Sequence, residues 1–163
     1  TGACARGDAV VHPQASPKGR VLSDVNLVTI TDNIATVAAT ISGVRGANGQ
    51  EVDTVPATPW VVVGLPKGLN VIPGNRQVTD IEIPIRLYVE RASDQRRDIR
   101  AIYSYVSTFV TTFAANQSLS GAVSDCYITA WDTNVFDEIG GTTYVVVDFT
   151  LSVTVHEAIT QAL

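Results

Sequence analysis

Val145, Val147, Phe149, Leu151, Val153 and Val155 alternate with Asp148, Thr150, Ser152 and Thr154 over more than ten residues. Successive side chains of a β-strand point to opposite faces, so this run is a strand with one apolar and one polar face. At about 3.3 Å per residue it would extend roughly 35 Å, enough to span a small domain and to project from it. A second run has the same period: Ile81, Ile83, Ile85, Leu87 and Val89 alternate with Asp80, Glu82, Pro84, Arg86 and Glu90. Between the two the period changes. From Asp98 to Phe113 the residues Ile99, Ile102, Val106, Phe109 and Phe113 stand at offsets of three, seven, ten and fourteen, the stripe of a helix packed on one side. Such a helix needs an apolar surface, and the strand face just before it supplies one. The sequence therefore predicts a strand, a helix and a long hairpin between Thr79 and Val155.

The preceding chain is less regular. Residues 1–21 carry Gly, Pro, Ser and Ala without a period and read as an extended or poorly ordered arm. Between Val25 and Val44 the apolar positions Leu27, Ile30, Ile34, Val37, Ile41 and Val44 recur at three and four, predicting a first amphipathic helix ended by Gly43 and Gly46. Thr31-Asp32 fits either an internal pair or the N-cap of a shorter helix. Gly46 to Pro59 has the composition of a connecting loop, and Trp60 to Val63 reads as a short strand stopped by Gly64, Pro66 and Gly68. Asn70 to Arg76 reads as a turn-rich bridge. Proline donates no ladder hydrogen bond, so Pro84 predicts that its strand lies at a sheet edge there or bulges. A sheet edge is a natural docking site for another chain. After the second helix come a turn (Asn116 to Gly121), a strand (Ser124 to Trp131), a long hairpin tip (Asp132 to Thr143) and a short tail from His156.

A chain of 163 residues suits one domain, placed over residues 22–163, that buries a core without disulfides or metals. A net charge of −5 and a charged fraction of 17% leave no basic face for phosphates, which argues against DNA as a tight ligand. No run approaches the roughly 18 apolar residues of a membrane span, and the N-terminus lacks an apolar signal-peptide core, so the sequence reads as that of a soluble cytoplasmic product. Few charges together with a positive mean hydropathy suggest apolar surface covered by other subunits.

Catalytic constellations are sparse. His156-Glu157 begins like a zinc-protease motif, but Thr160 stands where the second histidine belongs. Gly43, Gly46 and Gly49 follow a helix and lack phosphate-loop spacing. Two histidines and two cysteines, Cys4 and Cys126, assemble neither a triad nor a four-ligand zinc site, so no metal or cofactor is expected. Arg6-Gly7-Asp8 spells an adhesion tripeptide, which short chance matches also produce. The Asn116 sequon has meaning only in a secreted chain. Asp132, Asp137 and Glu138 cluster at the hairpin tip, where solvation is the ordinary explanation and an acid-base site the sharper one. The tip also carries Val135, Phe136 and Ile139, apolar groups that an extended hairpin buries most easily against another subunit.

The segments "IEIPIRLYVER" (81–91), "RRDIRAIYSYV" (96–106), "SLSG" (118–121) and "YVVVDFTLSVTV" (144–155), following a helix, a Gly/Pro-rich loop and a short strand, occur in a familiar order. This order resembles the tail terminator proteins of long-tailed bacteriophages over roughly Ile30 to Val155. The likeness is one of pattern, and the arm before Leu22 has no counterpart in it. The resemblance implies a non-enzymatic virion protein, assembled in the host cytoplasm as a hexameric ring on the last ring of the tail tube. Such a ring ends tube polymerisation and joins the tail to the head-completion or connector protein, while DNA passes through its lumen without specific binding.

The expected fold is α+β: a two-layer α/β sandwich whose mostly antiparallel sheet carries two helices on one face and a long C-terminal hairpin. Val135, Phe136, Asp137, Glu138, Ile139 and Pro84 are the expected subunit-interface residues. Alternatives are another neck protein of the same fold, a small enzyme built on Asp132, Asp137 and Glu138, and a secreted binding module using Arg6-Gly7-Asp8.

Overall fold

The two alternating runs pair with each other at the heart of one six-stranded sheet. The structure, a computed structural model, describes residues 25–71, 76–90 and 95–158. The arm, Cys4, Arg6-Gly7-Asp8 and His12 lie outside the described residues. In chain order the elements are helix α1 (Leu27–Ala39), strands β1 (Gly46–Asn48), β2 (Trp60–Val63), β3 (Lys67–Val71) and β4 (Arg76–Glu90), helix α2 (Gln95–Ala115), a 3-10 turn (Leu119–Gly121), and strands β5 (Asp125–Ile139) and β6 (Thr142–Ala158). The sheet order is β1-β2-β4-β6-β5, with β3 also paired to β4. Among the described residues only the β1–β2 pair is parallel.

The α+β sandwich follows from the two periods. Ile81, Ile83, Ile85 and Leu87 of β4 and Val145, Val147, Phe149, Leu151, Val153 and Val155 of β6 are all buried on one face. Ile30, Ile34, Val37 and Ala38 of α1 and Ile102, Phe109 and Phe113 of α2 join them in a single cluster. Phe109 lies at its centre, stacked on Phe149 with ring centroids 4.5 Å apart. The Asn26 side chain accepts a 3.0 Å hydrogen bond from the Thr29 N–H and so caps α1, which makes Thr31-Asp32 an internal pair. Threonine hydroxyls within the helix bond carbonyls one turn back, as from Thr36 to Asp32, so these poor helix formers are satisfied locally.

Several sequence expectations are corrected. Pro84 does not mark an outer edge, because β4 lies between β2 and β6. On one side of β4 the partner changes from β2, which ends opposite Ile85, to β3, which begins opposite Glu82. The Pro84 carbonyl accepts from the Gly64 N–H at 2.8 Å, so its ring nitrogen also points to that side, into the break between two strands. No ladder hydrogen bond is lost there, and the ladder to β6 runs on through Pro84 opposite Thr150.

The hairpin tip is also not a long loop. β5 continues to Ile139 and turns through Gly140 and Gly141 alone, both at positive φ (60° and 79°), which is the two-residue turn whose twist suits paired strands. β4 matches β6 residue for residue from Arg76 opposite Ala158 to Glu90 opposite Tyr144, so only the last two β5–β6 pairs (Glu138–Thr143 and Ile139–Thr142) and the turn stand beyond β4. The tail expected from His156 begins instead as the last three residues of β6, paired with Val78, Gln77 and Arg76 of β4. The loop expected over Gly46 to Pro59 contains β1, and the region expected to be turns after Val63 contains β3.

Candidate functional site

Among the described residues β5 is paired on one side only, by β6, and so presents a sheet edge. Its register to β6 shifts between Ile128 and Ala130 and again between Asp132 and Val135, bulges of the kind that twist an edge strand. Direct cross-strand partners share a face. Trp131 opposes Phe149 and Phe136 opposes Val145, so both aromatics lie on the helix-covered side of the sheet, yet beyond full cover. Trp131 is 54% exposed and Phe136 59%. Trp131 forms one wall of a groove of about 400 Å³ whose other wall is α2, through Tyr103, Val106 and Val110. Tyr103 is itself exposed.

The opposite, outer face of the same strands is polar and ordered by cross-strand pairing. Arg86 faces Asp148 directly across β4 and β6, and its Nε donates to Asp148 Oδ1 at 3.2 Å. The Tyr88 hydroxyl donates to Asp137 Oδ2 at 3.0 Å, and its ring meets Tyr144 edge-on with centroids 5.8 Å apart. Asp137 Oδ1 accepts in turn from the Glu138 N–H at 2.9 Å. Around these groups Val62, Tyr88, Tyr144 and Val146 form a second, smaller apolar cluster, against which Val52, Val55, Trp60 and Ile139 pack. Glu51, Arg86 and Asp137 line a shallow cavity of about 180 Å³ there.

The electrostatics suit a clamp more than an acid-base pair. Burial, with Asp137 acting in the same direction, pushes the Tyr88 hydroxyl up to about 12, so it stays protonated and donates throughout the neutral range. Burial works to lower the Arg86 pKa, but Asp148 and Tyr88 outweigh it and leave the guanidinium raised.

The six expected interface residues are therefore divided. Asp137 and Ile139 belong to the outer-face clamp, Phe136 lies on the helix side, and Glu138 is exposed. Val135 pairs with Val146 in the β5–β6 ladder. Pro84 lies mid-strand opposite Thr150, away from the tip. The acid-base alternative does not gain from the geometry: Asp137 and Glu138 are consecutive in a strand and so face opposite ways, and Asp132 lies on the far side of a bulge, opposite Asp148. Among the described residues no three His, Cys, Asp or Glu side chains converge as a metal-ligand set. Sequence reasoning missed Trp131, Tyr103 and the Arg86–Asp148 and Tyr88–Asp137 pairs. The period-two pattern of β4 puts Arg86 and Tyr88 on the polar face, but only the strand register names their partners. Comparison of the chain with family models and with curated proteins found no match.

Proposed function

We propose that this chain is a structural subunit of a ring that caps the tail tube of a long-tailed bacteriophage. The ring ends tube growth and gives the head connector a surface to join. The observation that supports this reading best is β5, an edge strand with Trp131 exposed in the groove beside α2 and Phe136 exposed further along the strand. Apolar surface of this kind along a sheet edge gains stability when a neighbouring subunit covers it. The order of elements that carries the likeness to tail terminators supports the same conclusion. The net charge of −5 suits a lumen through which DNA slides without binding, since phosphates meet repulsion and no basic face holds them. The subunit is non-enzymatic on this reading, and its partners are the other copies of a six-membered ring, the tail tube protein and the head-completion protein.

Gold-labelled antibody raised against the chain tests the placement on virions of the phage that encodes it. Label at the junction of head and tail is the expected outcome. Label along the tube, at the distal tip or nowhere on the particle contradicts the proposal.

A further inference from the structure

We infer that β5 of one subunit pairs antiparallel with β3 of the next, extending the six-stranded sheets into one continuous belt around the ring. This rests on the ring reading above. Among the described residues both strands have a free backbone edge: β5 is paired only by β6 and β3 only by β4. The hydrogen-bonding groups of a strand alternate from side to side. The Pro84 carbonyl points toward Gly64, so those of Glu82, Asp80 and Val78 point toward β3 and engage their partners Lys67, Leu69 and Val71. The N–H and carbonyl groups of Gly68 and Asn70 are thereby turned to the free edge, ready for another strand.

Charge selects the partner. β5 carries Asp125, Asp132, Asp137 and Glu138 and no Lys or Arg, whereas β3 carries Lys67 and no acid. Pairing of β5 with a second β5 would bring together two edges that carry acids and no base, while pairing with β3 joins the acidic edge to one whose single charged side chain is Lys67, across from Glu82 on its own sheet. β1, at the end of the sheet path, is three residues long and half-buried and offers neither charge nor a large exposed apolar side chain.

Direction and face agree with this choice. β5 runs the same way as β4, two antiparallel steps away through β6, and β3 runs opposite to β4. A neighbour rotated about an axis along the strands therefore presents its β3 antiparallel to β5 with the same face outward. On that face Tyr127, across from Ser152, is 48% exposed, and Leu69 and Val71, across from Asp80 and Val78, are 66% and 46% exposed. Joining the edges covers all three. The regular stretch of β5 before its first bulge, the four residues Asp125 to Ile128, is short enough for the five residues of β3 to span.

Cysteine cross-linking tests the pairing in the full chain with Cys4→Ser. Residues opposed in an antiparallel pair have Cα atoms about 4.5–5.5 Å apart, within disulfide reach. The chain carrying both Leu69→Cys and Tyr127→Cys should, on oxidation, give a ladder of covalent oligomers up to the ring size, and the two single variants should link only when mixed. Gly68→Pro, which removes an outward N–H, should leave a folded monomer by circular dichroism and native mass, while Gly68→Ala assembles. An assembled oligomer without cross-links, or Tyr127→Cys linking to itself, overturns the β5–β3 pairing and leaves the ring reading standing. A double variant and a parent chain that are both monomeric overturn the two together.

Discussion

Phe109 is fully buried between Phe113 and Phe149, with centroids 6.2 and 4.5 Å away, and so joins α2 to the centre of β6. Phe109→Ala should lower stability by about 3–5 kcal/mol, read as a shifted urea midpoint, because the cavity opens where neither element can collapse into it. Tyr88 acts at a smaller scale. Tyr88→Phe deletes the bond to Asp137 and should cost about 0.5–1.5 kcal/mol at neutral pH. The alkaline response has a definite sign. The folded-state pKa of Tyr88 is raised from 10.0 to about 12, so its contribution is fully present below pH 10 and is lost as pH rises toward 12. Wild type and Tyr88→Phe should therefore converge in stability over that window, and a constant difference would show that the hydroxyl is not held protonated. Cys126 is fully buried, and burial pushes its thiol up to about 11. A thiol-alkylating reagent at pH 8 should modify Cys126 only after the chain is unfolded.

At the scale of elements, the parts legible in the sequence are those with one buried face. β4, β6 and α2 bury every second or every third-to-fourth residue, so their periods survive in the sequence and name the core. β3 is exposed along all five residues, and with no buried face it has no pattern to read. β1 is hidden for another reason. A Cβ on Gly46 would lie 2.3 Å from the Trp60 ring, so the strand must carry a residue that resembles a loop former. The second half of β5 reads as loop because two bulges shift its register, and the alternation breaks at each. Pro84 misleads through a rule that assumes one neighbour per side, where β4 has two in succession. Of the candidate site, the exposed aromatics are visible as residues and invisible as a surface, since exposure depends on which strand is left unpaired. Phe136→Asp belongs to this scale: it should leave the unfolding midpoint of the isolated subunit within about 0.5 kcal/mol, as surface substitutions do, and weaken assembly. Unchanged assembly would remove the hairpin from the interface.

For the whole molecule, a sheet with two usable edges of unlike charge and one helix-covered face is a unit suited to head-to-tail repetition. Heterologous contacts of this kind close into rings when the rotation per subunit divides a full turn, and otherwise make open filaments. An isolated copy leaves Trp131, Phe136, Tyr127 and Leu69 in water. In the proposed ring the β5–β3 contact would cover Tyr127 and Leu69, and the stability of the assembled form should rise with protein concentration. Negative-stain images of the purified chain at micromolar concentration test the account most directly. Closed rings of six subunits are the predicted result, and a field of single 17.3 kDa particles with a monomeric mass in solution would contradict it.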